Sequence, residues 1–283
     1  MLSEPLFQIG PFKFHMYGFM VAVGVAAALF VLYFFGHKKK VSEKFLDFVF
    51  YNTLAAVIGG FGSAALFQAI YNYIENPAAG FSFDGGITFI GGLIGGVIVF
   101  LAVYFIMRRR LDGRLTQMIA IIPCAITVGH AFGRVGCFFA GCCYGNRTDC
   151  FLGVTFPGHT YPVHPTQLYE AAFLFILFGI CAYLVMRKNF RYTMCIYLAA
   201  YGVFRFCLEF VRGDHRGEFL FGITPSQFWS IVMVISSVGV YFILKNAFAQ
   251  ADANPFVSSE NVSKEEEDDE TVVSIFSSDD DEK

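Results

Sequence analysis

ITFIGGLIGGVIVFLAVYFIMRRR, residues 87–110, runs for 21 residues without a charge and stops at three arginines. A helix rises about 1.5 Å per residue, so about 20 apolar residues cross the roughly 30 Å hydrocarbon core of a bilayer. The stretch therefore reads as a transmembrane helix with a basic end. Its Gly91-Gly92 and Gly95-Gly96 pairs suit close packing against a neighbouring membrane helix. Six more apolar stretches of similar length follow the same logic, at 16–36, 45–71, 115–139, 168–186, 192–210 and 228–244.

The composition agrees. Hydrophobic residues make up 56% of the 283 and charged residues 15%, whereas a soluble domain carries about a quarter charged residues. The fold class expected is all-α: a polytopic membrane protein with seven transmembrane helices. The bilayer is its solvent, and no nucleic-acid partner is expected. The first stretch is too long for a signal peptide and lacks a basic start.

The loop charges predict the orientation. His37-Lys38-Lys39-Lys40 and Lys44 follow the first stretch, Arg108-Arg109-Arg110 and Arg114 the third, Arg187-Lys188 and Arg191 the fifth, and Lys245 the seventh. Basic loops stay in the cytoplasm, which puts the N-terminus outside and the C-terminus inside. Residues 251–283 carry a net charge of −10 and the rest of the chain +7. Residues 1–248 are thus expected to form the membrane domain, and 249–283 an acidic, disordered cytoplasmic tail.

Other charges fall at the opposite helix ends: Arg134, Arg205, Glu209 and Arg212. Ionisable groups bordering a membrane are costly and usually face a cavity or each other. In the fourth stretch His130, Arg134 and Cys137 share one helix face, and Gly133, Gly136 and Gly141 thin the backbone around the arginine. A guanidinium beside exposed backbone N–H groups suits a phosphate. In RFCLEFVR, Arg205 and Glu209 are four apart, a spacing that holds a guanidinium in one pose, with Arg212 three further on. In HPTQLYEA, residues 164–171, Pro165 suits a first helical turn, Gln167 and Glu170 share a face, and His164 is a candidate acid or base. HMYG, residues 15–18, puts His15 and Tyr17 at the start of the first helix.

Cysteines 137, 142, 143 and 150 cluster on the outer side, while Cys124, Cys181, Cys195 and Cys207 are scattered in apolar helices as small hydrophobes. The Cx4CC spacing lacks the CxxC of structural zinc sites. Three readings stay open for the outer cysteines: disulfides or inert thiols, a reactive thiol beside Arg134, and a metal site.

Taken in order, HMYG, GGITFIGGLIGG, GRVGCFFAGCCYG (133–145), HPTQLYEA and RFCLEFVR resemble the bacterial prolipoprotein diacylglyceryl transferase family. The resemblance runs from His15 to the end of the seventh helix. It implies an enzyme of the bacterial cytoplasmic (inner) membrane that works toward the outer leaflet. Such an enzyme moves the diacylglyceryl group of phosphatidylglycerol onto the thiol of a prolipoprotein's lipobox cysteine and releases glycerol phosphate. No cofactor and no metal is implied.

The resemblance implies catalytic roles for Arg134, Arg205, Tyr17 and Glu209, and His164 joins them as a candidate base. Substrate binding is expected from Arg134, Arg205, Arg212, His15, Gly145, Gln167, Tyr169, Glu170, Cys137 and Cys142. The sequence departs from the family signature GRxGNFxNxExxG: Cys137 and Ala140 stand at its two asparagines, and Cys142 at its glutamate. Ile90 stands at a histidine proposed to activate the thiol, and Phe61 where an arginine is usual. Candidates for the missing base are His130, His164, Glu170 or a cysteine thiolate. Rival readings are a related transferase with a different acceptor, a thiol redox or metal-handling membrane protein on the same scaffold, and a non-catalytic lipid-binding relative.

Overall fold

A computed structural model describes residues 7–9, 12–83, 86, 88–212 and 223–254. Seven α-helices stand among them: α1 (Met16–Lys38), α2 (Glu43–Glu75), α3 (Phe89–Met107), α4 (Ile122–Ala140), α5 (Thr166–Lys188), α6 (Thr193–Glu209) and α7 (Pro225–Ala253). All but α6 are long and apolar enough to cross a membrane. With 17 residues, α6 reaches about 26 Å at helical rise.

Three details depart from the sequence reading. The all-α class holds, but a short hairpin precedes α1: β1 (Phe7–Ile9) and β2 (Phe12–Phe14) pair antiparallel, Phe7 opposite Phe14. Three-residue strands are too short to show an alternating pattern. The fourth helix starts at Ile122 rather than 115, after a 3-10 turn at Leu115–Gln117. Pro123 explains the late start, because proline is tolerated in a first turn but removes a hydrogen bond deeper in a helix. Finally, α7 continues to Ala253, so residues 249–253 extend the helix. Residues 255–283 of the expected acidic tail lie outside the described residues.

The chain forms two compact units. One, within residues 40–114, pairs α2 with α3. A Cβ added at Gly60 would sit 3.0 Å from the Gly92 carbonyl oxygen, so the glycines serve close helix approach. Polar side chains bridge the pair: Ser63 Oγ donates to the Gly91 carbonyl at 2.9 Å, and Asn52 Nδ2 to that of Phe100 at 3.0 Å.

The other unit holds α1 and α4 to α7. Helix α4 lies between α1 and α5, and α6 packs on α7. Ile176, Ile235 and Ile243 are each about two-thirds exposed. Apolar side chains facing outward along several long helices match a lipid solvent, not water. Basic residues mark one end of these helices, with His37 and Lys38 in the last turn of α1 and Arg187 and Lys188 in that of α5. The first turns of α1 and α5 and the last turns of α4 and α6 hold the candidate residues at the other end.

Candidate active site

Glu170, one turn into α5, is 1% exposed. A carboxylate so buried needs compensating charge and donors. Arg134 of α4 supplies the first, its Nε 3.0 Å from Glu170 Oε1. Tyr201 of α6 donates its hydroxyl to the same oxygen at 2.7 Å. His130, one turn before Arg134, approaches that oxygen at 3.6 Å, and Arg134 Nε lies 3.3 Å from His130 Nε2. One carboxylate thereby ties three helices together and orients the Arg134 guanidinium.

The second arginine is held the same way. Arg205 Nη1 is 2.8 Å from Glu209 Oε2, an ion pair set off hydrogen-bond alignment, and Arg205 Nη2 donates to Ser226 Oγ at 2.9 Å. Glu209 also accepts from Thr224 Oγ1 at 3.0 Å, and Thr224 and Gln227 form the capping box of α7. Arg205 lies within electrostatic reach of Glu170 and His130. Both arginines therefore border one buried polar centre.

Past α4 the chain turns through Gly141, left-handed with φ 69°, and Cys143, also left-handed with φ 65°. Two side chains from the first turn of α5 hold this turn: Gln167 Nε2 donates to the Cys142 carbonyl, and Thr166 Oγ1 to that of Cys143 at 2.8 Å. The turn brings the sulfurs of Cys137, Cys142 and Cys143 within 4.8 Å of one another. The Cys143 thiol, beyond the end of α4, is held well below its ordinary range. Hydrogen bonds from Cys137 and then Cys142 are the main causes, and Arg212 and Arg134 add to them against burial. Cys150 stays outside the cluster, and all eight cysteines are free of disulfides.

Gly145 then bridges to Arg212 beyond α6, with Asn146 N–H donating to the Val211 carbonyl at 2.9 Å and Gly145 N–H to that of His164 at 2.8 Å. A Cβ at Gly145 would lie 2.5 Å from the Val211 carbonyl oxygen and 2.9 Å from His164 Cβ. Gly145→Val is therefore expected to destabilise the protein by about 1–3 kcal/mol, as overpacking does. Thermal unfolding in detergent checks this; an unchanged midpoint would show that the loop and α6 do not need this close approach.

The residue at the start of α1, Tyr17, backs onto α4: a Cβ at Gly136 would meet its ring at 3.3 Å. A cavity of about 500 Å³ opens beside the cysteine turn, lined by Cys142, Cys143, Tyr144, Arg147 and Tyr161 among others.

The family model for prolipoprotein diacylglyceryl transferase matches residues 4–243. The chain belongs to that family. Among its relatives, a phosphatidylglycerol–prolipoprotein diacylglyceryl transferase of Clostridium tetani is 32% identical over 251 residues, 86% of this chain and 98% of that protein. Transferases of the same name from Bordetella bronchiseptica and Coxiella burnetii are each 33% identical, over 83% and 81% of this chain and 92% and 90% of their own.

Within this diacylglyceryl transferase scaffold the structure sorts the expected residues. It joins Arg134 to Glu170 and Arg205 to Glu209, and it sets Gly145 against Arg212. Gln167 is 1% exposed and spends its amide on the Cys142 carbonyl, which makes it a support for the turn. His164 pairs its Nδ1 with the Tyr169 hydroxyl at 3.2 Å. His15 is exposed before α1, without a side-chain cap bond. Sequence reasoning missed Tyr201. The signal was present: Tyr197, Tyr201, Arg205 and Glu209 recur every four residues along α6, and all four are buried.

Proposed function

We propose that this chain transfers the diacylglyceryl group of phosphatidylglycerol to the thiol of a lipobox cysteine in a prolipoprotein, releasing glycerol phosphate. The observation that carries the reading is the pair of arginines, each oriented by its own buried carboxylate, at one end of a helix layer with lipid-facing walls. The Glu170 ion pair uses the Nε edge of Arg134 and leaves the terminal nitrogens for phosphate oxygens. Negative charge builds on the phosphate as its ester bond to the glyceryl carbon breaks. Cations already fixed in place at that point lower the barrier without reorganising. Arg205, anchored on α7 through Ser226, serves the second side of the same headgroup. Tyr17, at the start of α1, closes the headgroup region.

The basic helix ends support an N-outside, C-inside orientation with α6 as a seventh span in the bacterial cytoplasmic membrane, so the chemistry faces the outer leaflet. Residues 1–248 act as the transferase domain, and the acidic tail stays in the cytoplasm.

Reconstitution right-side-out into phosphatidylglycerol vesicles tests the reading. A lipobox peptide supplied outside should gain the mass of a diacylglyceryl group, and a serine version should not. Folded protein that leaves the cysteine peptide unmodified would reject the activity. Modification only of peptide sealed inside would reject the orientation.

A further inference from the structure

Cys137, Cys142 and Cys143 are left unused by the headgroup chemistry. Their spacing along the chain lacks the CxxC of structural zinc sites, yet two left-handed residues, Gly141 and Cys143, fold the turn so that all three sulfurs converge within 4.8 Å. Zinc–sulfur bonds of about 2.3 Å in a tetrahedron set sulfurs about 3.8 Å apart, so a contraction of an ångström or less would close three of them on one ion. Gln167 and Thr166 fix the carbonyls of Cys142 and Cys143, which gives the ligands a prearranged backbone. Arg134 and Arg212 lie within electrostatic reach of Cys143 and offset the excess charge that three thiolates bring to a divalent ion. Cys142 and Cys143 also line the cavity of about 500 Å³, an entry path for an ion or a substrate.

No fourth histidine, cysteine or carboxylate joins the group among the described residues. Structural zinc sites are closed by four protein ligands, whereas catalytic ones keep three and leave a position open.

We propose that Cys137, Cys142 and Cys143 bind one zinc ion whose fourth position takes the acceptor's cysteine thiol. The inference rests on the transferase reading above. A free thiol has a pKa of about 8.5 and is largely protonated at neutral pH, while a metal-bound thiol is deprotonated outright. On binding, the acceptor S–H gives its proton to water. The zinc-held sulfur then attacks the glyceryl carbon that bears the phosphate ester. The C–S bond forms, the C–O bond breaks, and the electron pair leaves on the phosphate oxygen of glycerol phosphate beside Arg134. Nothing is oxidised or reduced. The product thioether is uncharged and a poorer ligand than a thiolate, which favours its release.

Cobalt(II) titration of the full chain, in micelles containing phosphatidylglycerol under reducing conditions, tests this without measuring activity. One cobalt per chain is expected, with intense sulfur-to-cobalt charge-transfer absorption that zinc abolishes. Cys137→Ser, Cys142→Ser and Cys143→Ser should each weaken binding by more than the about 10–100-fold that outer contacts to a metal are worth. Cys150→Ser should bind as the parent does. A lipobox-cysteine peptide should shift the absorption, and its serine version should not. Folded protein with no thiolate–cobalt absorption, or equal spectra with the two peptides, would overturn the proposal. So would equal transfer by zinc-loaded and chelator-stripped protein. If no preparation transfers lipid, the transferase reading fails, and the cobalt spectra still decide the site.

Discussion

Arg134→Gln is expected to lower the rate of diacylglyceryl transfer about 10²–10³-fold, the scale for losing one fixed donor to a developing anion, about 2.7–4 kcal/mol. The glutamine is polar but shorter than the arginine, and it brings no charge to the phosphate. Because Glu170 then loses its cation, unfolding must be measured alongside the rate. Arg134→Lys separates the two effects. It keeps the positive charge near Glu170 and loses the planar fork that meets two phosphate oxygens at once. Lysine should therefore restore much of the stability and little of the rate. Single-turnover transfer to a lipobox peptide, with saturating phosphatidylglycerol, reads the rate directly. Parent-like transfer by Arg134→Gln would remove Arg134 from the leaving-group step.

Glu170→Leu carries the largest expected effect on stability. At 1% exposed, Glu170 faces Arg134, His130 and the Tyr201 hydroxyl through one oxygen. Removing one partner of a buried ion pair costs about 3–5 kcal/mol, because the remaining charge is left unpaired in an apolar setting. The midpoint of thermal unfolding should drop sharply. Combining it with Arg134→Leu should cost far less than the two changes summed, since the double variant buries neither charge. Strict additivity would show that the two side chains do not depend on each other, contrary to the 3.0 Å contact.

Much of this molecule is legible from its residues in order. Uncharged runs about 20 residues long identify helices α1 to α5 and α7 because the bilayer thickness and the helical rise leave little choice of length. The helix periods place His130 with Arg134 and Cys137, and Tyr201 with Arg205 and Glu209, on common faces. The Arg205–Glu209 pair, within one helix, was readable for that reason. Short features were not: the three-residue strands of the N-terminal hairpin carry no period, and the start of α4 is set by Pro123 rather than by hydropathy.

What the amino-acid order could not supply is which helix faces meet. In a membrane chain the side chains that face lipid and those that face the core are equally apolar, so hydropathy does not mark the inward face. Hence the carboxylate that holds Arg134 could not be picked out, since Glu170 lies 36 residues away on another helix. The cysteines show the same limit. Their spacing argued against a zinc site, and only the folded turn, with Gly141 and Cys143 left-handed and Gln167 and Thr166 clamping it, brought three sulfurs to one point. Sequence alone determined the long apolar helices and the residues that share each face. Tertiary packing decided which charges pair across helices and where the thiols converge, because those contacts join segments that no local period relates.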